Sequence, residues 1–261
     1  AQRAACRRAQ TIHGIDQMVG RIREQLDREG LADNTVIVFA SDHGIMNGEF
    51  GLGGKALNYE SCLRVPLIIM DPRVAPSECG RRSNALVESV DIAPTLLDCA
   101  GVELPRGMQG HSLRGIIEGT EDAVRSSSFA ENLWSTQFGN PRIESVRTDD
   151  GWKYIRYFKN DRSLFEEIAK KKQFRATPKL IASYHDWLTA SINGEEPVFE
   201  ELYHLATDPS ESVNLATRPT CTDKLHQLRA ECQRLVTFAK GEVEQAPATV
   251  VIDQTKGRKA Q

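Results

Sequence analysis

The reading of this chain turns on the stretch Thr35-Val36-Ile37-Val38-Phe39-Ala40-Ser41-Asp42-His43-Gly44. Its first six residues are β-branched, aromatic or small and apolar on both faces, which predicts a central strand of a parallel sheet covered on both sides. A carboxylate, an imidazole and a glycine follow at once. In open α/β sheets ligands bind in the crevice beyond the carboxyl ends of the strands, so Asp42 and His43 stand where chemistry is expected. A carboxylate oxygen and an imidazole nitrogen fixed at a rigid strand end make half of a divalent-metal site. The dipeptide alone favours a second reading, in which Asp42 caps the next turn and His43 is an ordinary hydrogen-bonded surface histidine.

Working outward, Ile12, Ile15, Val19, Ile22 and Leu26 recur at helical spacing between Ala9 and Glu29, and Gly30 stands where a left-handed cap falls. Downstream, Gly44, Gly48, Gly51, Gly53 and Gly54 mark a long irregular loop, after which Val65 to Met70 predicts a second buried strand. Ser89 to Gly101 reads as a helix with Pro94 near its start, Gly101 at its end and Asp91 as its N-cap. From about Ser126 the texture changes to short aromatic segments, Arg142 to Arg147 and Trp152 to Phe158, joined by the turn signal Asp149-Asp150-Gly151. Leu225, Leu228, Cys232, Leu235, Val236 and Ala239 then predict an amphipathic helix entered through Thr222 or Asp223. The expectation is an α/β fold: a mostly parallel sheet with flanking helices over 1–125, a smaller α+β subdomain with an antiparallel sheet over 126–245, and a disordered tail over 246–261. The basic run Lys170-Lys171-Lys172 reads as a solvated loop.

Composition excludes several classes. Lys plus Arg number 33 against 36 Asp plus Glu, a net charge of -3, so a nucleic-acid partner held by phosphate neutralisation is not expected. The longest apolar runs, Val36–Ala40 and Val65–Met70, fall far short of the roughly 20 residues of a membrane-spanning helix. Six cysteines lack CxxC spacing, against a zinc knuckle or a dense disulfide scaffold. The chain opens at Ala1, inside a helical pattern and without an apolar signal core, so a preceding segment is expected.

Beyond Asp42-His43 the loop continues through Gly53-Gly54-Lys55, Tyr59-Glu60 and Arg64-Val65-Pro66-Leu67-Ile68. At these residues the chain resembles the sulfatases of the alkaline-phosphatase superfamily. The resemblance continues through Val90-Asp91-Ile92-Ala93-Pro94-Thr95-Leu96-Leu97, Gln109-Gly110-His111-Ser112-Leu113 and Glu201-Leu202-Tyr203-His204-Leu205-Ala206-Thr207-Asp208-Pro209. It implies an alkaline-phosphatase-like fold and metal-dependent cleavage of a sulfate monoester or sulfamate, with a small-molecule or glycan sulfate ester as substrate. It further implies that Asp42 and His43 ligate one divalent cation, Ca2+ by preference, and that Lys55 contacts the sulfate ester. The chemistry is consistent, because cleavage concentrates negative charge on the leaving oxygen and the sulfuryl oxygens, which a cation and an ammonium stabilise. Without the motif, Lys55 would read as a solvated loop lysine. Tyr59, Glu60 and Arg64 read as residues that hold the loop against the next strand.

Two departures from the family pattern stand out. His43 occupies a place where many relatives carry asparagine, and its nitrogen leaves another divalent metal open. Phe50 stands where many relatives carry histidine. The family's nucleophile, a cysteine or serine in a C/S-x-P/A-x-R context converted to formylglycine, matches none of Cys6, Cys62, Cys79, Cys99, Cys221 or Cys232. The resemblance therefore implies that formylglycine belongs to a preceding half, that this piece alone is inactive, and that the compartment is periplasmic, secreted or lysosomal. His13, His111, His185, His204 and His226 read as structural. Two alternatives remain open on sequence: a phosphoric or phosphonic ester hydrolase of the same superfamily, and a noncatalytic sulfatase-like module.

Overall fold

A computed structural model describes residues 2–132, 142–159, 186 and 189–241. The expected tail over 246–261, the Lys170–Lys172 run and His185 lie outside these residues. The chain divides into two compact units, one made of Ala1–Lys55 with Tyr59–Ser128, the other of Ala56–Asn58 with Phe129–Gln261. The α/β class expected from sequence is the class observed, with helices and strands mixed along the chain.

The first unit opens with α1, Gln2–Arg28. Gly30, at φ 66°, ends it: the Leu31 amide donates to the Leu26 carbonyl at 2.9 Å and the Gly30 amide to Asp27 at 3.2 Å. This reciprocal pair satisfies carbonyls that the helix end leaves open, and it needs a residue free of the Cβ clash at positive φ. The apolar stripe of α1 faces solvent among the described residues, with Ile12 67% and Met18 54% exposed. A 3-10 turn at Ala32–Asn34 leads to β1, Ile37–Ala40.

β1 pairs with β4, Leu67–Met70, in register Ile37↔Met70 to Ala40↔Leu67, and the two run antiparallel. The parallel pairing expected from sequence is corrected here. A run that is apolar on both faces does not encode strand direction, and the connection over residues 41–66 leaves and returns at the same end, which an antiparallel neighbour permits without a crossover. The sheet is also less covered than expected, since Ile68 is 62% exposed. Between the strands lie a small hairpin, β2 (Met46–Asn47) with β3 (Gly53–Gly54), and the one-turn helix α2, Glu60–Leu63. Further on, a 3-10 turn at Ser89–Asp91 enters α3, Ile92–Cys99, and α4 spans Arg114–Glu118.

Asp91 does not cap α3 in the expected way. Its buried carboxylate accepts the amides of Glu88 at 2.7 Å and His111 at 2.8 Å, and pairs with the Arg125 guanidinium, whose Nη2 lies 2.6 Å away. Burial would raise this carboxyl, but the guanidinium and the two amides outweigh it and hold it below the ordinary value. Asp91 thus ties the start of α3 to the Gln109-Gly110-His111 segment. Gly110 is required there, because a Cβ would lie 2.0 Å from the Val90 carbonyl oxygen.

The second unit is built on a four-stranded sheet in the order β5 (Ser127–Asn132), β6 (Arg142–Thr148), β7 (Trp152–Phe158), β8 (Phe199–His204). β6 and β7 form the antiparallel hairpin expected from Asp149-Asp150-Gly151, with Gly151 at φ 86°. The helix α5, Thr222–Gly241, packs Leu225, Leu228, Cys232 and Val236 against Val146, Tyr154 and Leu202. Within this unit Glu144 is fully buried among Arg156, Lys240 and Ser191, at 2.7, 3.0 and 2.6 Å. Burial pushes its carboxyl up, and the two cations with the hydroxyl pull it below its usual range.

Candidate active site

The site is built at the carboxyl end of β1. Ser41 follows the strand and its hydroxyl donates to the His43 carbonyl at 3.0 Å, closing a tight turn. Inside that turn Asp42 Oδ1 accepts the His43 amide at 2.9 Å. Gly44 comes next, and its amide donates to the Cys62 carbonyl at 2.7 Å. The approach is so close that a Cβ on Gly44 would lie 2.0 Å from the Ser61 carbonyl oxygen. The glycine of the Ser-Asp-His-Gly sequence is thereby explained: it lets the start of the loop dock on the first turn of α2.

The side chains of Asp42, His43 and Lys55 come together. His43 Nε2 lies 3.3 Å from Asp42 Oδ2 and 2.6 Å from Lys55 Nζ, although Lys55 is twelve residues further along. The β2–β3 hairpin accounts for this, since it carries the chain out from Ile45 and returns it through Gly54 directly to Lys55. The other imidazole nitrogen, Nδ1, is 3.0 Å from the Gly44 carbonyl oxygen. A carbonyl oxygen can only accept, so Nδ1 carries a proton, and the Nε2 lone pair accepts from the Lys55 ammonium. The backbone contact fixes the orientation of the ring, as it does for metal-ligating imidazoles, while Nε2 is engaged by Lys55 and would serve a cation only once Lys55 moved aside. Asp42 Oδ2 supplies a carboxylate oxygen beside it, and the Asp42 side chain is 83% exposed.

The donor chemistry of this pair fits a divalent cation, with a carboxylate and an oriented imidazole at one point. Among the described residues no group of three or more His, Cys, Asp or Glu is gathered as a metal cluster, so these two donors would supply only part of a shell. Lys55 brings three N–H donors and a positive charge to the same point.

The other residues singled out from sequence lie around this point. Tyr59 is buried and precedes α2, where its carbonyl accepts the amides of Cys62 at 2.8 Å and Leu63 at 3.0 Å. Phe50 stacks on Tyr59, with ring centroids 4.4 Å apart and 27° between planes. The Glu60 carbonyl accepts the Arg64 amide at 2.9 Å, closing the short helix ahead of β4. His111 contributes its amide to Asp91, and His204 packs on Trp152 in the second unit. A cleft of about 320 Å³, lined among others by Asn34, Val36, Arg73 and Cys99, opens at the opposite end of β1, and Arg73 there is engaged by Asp71 at 2.6 Å. Sequence reasoning missed Arg125, whose pairing with Asp91 bridges thirty-four residues, and no local pattern around Arg125 announces it.

Comparison with known proteins places this geometry in context. The sulfatase family profile matches residues 2–102. The chain is 44% identical over 152 residues to an N-acetylglucosamine-6-O-sulfatase of Bacteroides thetaiotaomicron, a match over 57% of this chain and 27% of the relative. An ulvan-active sulfatase of Formosa agariphila is 30% identical over 250 residues, covering 93% of this chain and 39% of that protein. Among solved structures, a protein in complex with its substrate D-glucosamine-2-N,6-O-disulfate superposes with a TM-score of 0.68 at 27% identity, over 88% of this chain and 40% of its own. The chain therefore spans between about a quarter and two fifths of the length of these relatives.

Proposed function

The chain belongs to the sulfatase family, and from that premise we propose that the whole protein hydrolyses a sulfate monoester or sulfamate on a small-molecule or glycan substrate, with Asp42 and His43 as metal ligands and Lys55 on the ester. The observation that carries this reading is the convergence of Asp42 Oδ2, His43 Nε2 and Lys55 Nζ within 3.3 Å contacts at the carboxyl end of β1. A carboxylate, a lone-pair nitrogen and an ammonium in one place suit a cation and a tetrahedral anion together.

In this reading Asp42 and His43 hold a divalent cation, with calcium favoured by the carboxylate and the family resemblance. The cation supplies charge stabilisation for the oxygens of the ester. Lys55 donates to the sulfuryl oxygens and offsets the charge they carry as the S–O bond to the leaving group lengthens. The Gly44 carbonyl keeps the imidazole turned so that Nδ1 holds its proton, and the Nε2 lone pair that Lys55 now occupies would be released to the cation as Lys55 turns to the ester. The nucleophile, a formylglycine by resemblance, comes from sequence other than these 261 residues, so the chain alone is inactive. A glycan sulfate as substrate is supported by the glucosamine and ulvan sulfatases among the relatives.

The test is a turnover assay on the full-length protein with an aryl sulfate, a 6-O-sulfated glucosamine and a phenyl phosphonate ester side by side, before and after chelation. The expected result is metal-dependent release of sulfate that Lys55→Ala lowers by roughly a hundredfold or more, on the scale of one lost oxyanion donor. Phosphonate cleavage with no sulfate release would overturn it.

A further inference from the structure

We propose that Asn58 is a positioning residue for Lys55, fixing the backbone from which the Lys55 side chain reaches the ester; this deepens, and rests on, the sulfate-ester reading above. Lys55 carries its ammonium on a flexible four-carbon stem. The stem turns, so the protein governs the reach of the charge by governing where the Lys55 Cα sits. Residues 55–59 belong to no helix or strand, and their backbone is placed by other means.

The chain is constrained on both sides of Lys55. Gly54 before it stands at φ 101° and Ala56 after it at φ 85°. Glycine adopts such a conformation without penalty, whereas alanine does so only where its surroundings hold it. The path of the chain shows what those surroundings are. Gly53 and Gly54 pair with Asn47 and Met46 in the first unit, Ala56–Asn58 belong to the second, and Tyr59 returns to the first.

Within the second unit this three-residue excursion is tied down by side chains. Asn132 donates from its amide nitrogen to the carbonyl of Ala56, the residue next to Lys55. Asn58 is 2% exposed, and its Nδ2 donates to the Ala130 carbonyl and to the Ser145 hydroxyl, both at 2.9 Å. Ser145 is buried as well, and its hydroxyl donates to the same Ala130 carbonyl at 3.2 Å. One amide nitrogen therefore ties the segment to β5 and β6 at once. A buried amide is costly unless its hydrogens are bonded, so this side chain holds the segment at the one place where both acceptors are met. An apolar residue at 58 would fill the same space without that demand. The Lys55 Cα, three residues back and joined through the strained Ala56, inherits the fixed position.

The test is a double-mutant cycle in the full-length protein: Asn58→Ala in the wild-type and in the Lys55→Ala background, assayed on para-nitrophenyl sulfate below the melting temperature of each variant. Asn58→Ala alone should lower kcat by about ten- to hundredfold, more than it changes KM, on the scale of a catalytic group misplaced by about an ångström. Its calcium affinity should not fall. In the Lys55→Ala background the same change should lower kcat by less than about twofold, since the group it places is already gone. Asn132→Ala, at a half-buried position, should show the same pattern at smaller size, and it decides the matter if Asn58→Ala does not fold. An equal fall in both backgrounds, a matching loss of calcium affinity, or a lowered melting temperature with kcat unchanged overturns the proposal. A wild type without sulfatase turnover, or a Lys55→Ala variant as active as wild type, sinks the sulfate-ester reading together with this one. A loss in Lys55→Ala that neither asparagine variant shares sinks this one alone.

Discussion

At Gly44 a single hydrogen atom where other residues carry a Cβ decides whether the loop can seat against α2. A methyl group there would meet the Ser61 carbonyl at 2.0 Å, against backbone that cannot swing away. Gly44→Ala should destabilise the protein by about 2–4 kcal/mol, the range of overpacked, backbone-constrained sites. Gly53→Ala, with nothing within 4 Å of its added Cβ, should change stability by less than about 0.5 kcal/mol. Denaturant unfolding of the two variants in the full-length protein checks the contrast; equal effects would count against the docking role of Gly44. At this scale the sequence was partly legible. Asp42 and His43 could be named from a strand end, and Lys55 only through the resemblance to the sulfatases. The partner of Gly44 and the contact between His43 and Lys55 could not, because both depend on where a hairpin returns.

At the scale of elements, α3 is anchored from outside itself. The Asp91 carboxylate lies fully buried between Arg125 and the amides of Glu88 and His111. Arg125→Met removes the guanidinium and leaves the carboxylate buried with two amides, which should cost about 3–5 kcal/mol, and Asp91→Asn with Arg125→Met should recover part of it. Thermal unfolding of the single and double variants measures this. A single variant as stable as wild type would show that the ion pair contributes nothing. The same group sets a pH dependence. Its folded pKa is depressed below the ordinary 3.8, so the unfolded chain binds more protons in the intervening range. Its contribution to stability is complete above about pH 4 and is lost as pH falls through the lower folded value. Glu144, depressed from 4.5 by Lys240 and Arg156 against its burial, acts in the same direction in the second unit. An acid titration of stability should show a steep loss below about pH 4 that flattens in the Arg125→Met variant. The sequence marked Asp91 as polar at a helix start, the signature of an N-cap, and the competing partner that claimed it lies too far along the chain to leave a local trace. The hairpin at Asp149-Asp150-Gly151 and the helix Thr222–Gly241 were fully legible, since turn chemistry and period are local.

At the scale of the whole molecule, two apolar faces of the first unit lie open. Ile12, Ile15, Met18 and Ile22 run along α1, and Ile68 and Met70 share the face of the β1–β4 pair with Phe39 and Ile37. Patches of this kind drive association in water. The 261-residue chain expressed alone should therefore self-associate at micromolar concentration, and Ile12→Glu with Met18→Lys should reduce the association; light scattering reads both. A monodisperse monomer of wild-type sequence would contradict this. The strands themselves were legible from their composition, while their antiparallel direction was not, because an apolar run reads the same in either orientation.

In the sulfatase reading Asp42 and His43 bind a cation whose binding does not need Lys55. Calcium titration of the full-length protein by calorimetry, in wild type, Asp42→Ala and Lys55→Ala, tests that most directly. Affinity reduced by at least tenfold in Asp42→Ala and held within about threefold in Lys55→Ala is the expected result, on the scale of one lost ligand. Equal loss in both variants, or undiminished binding in Asp42→Ala, would contradict it.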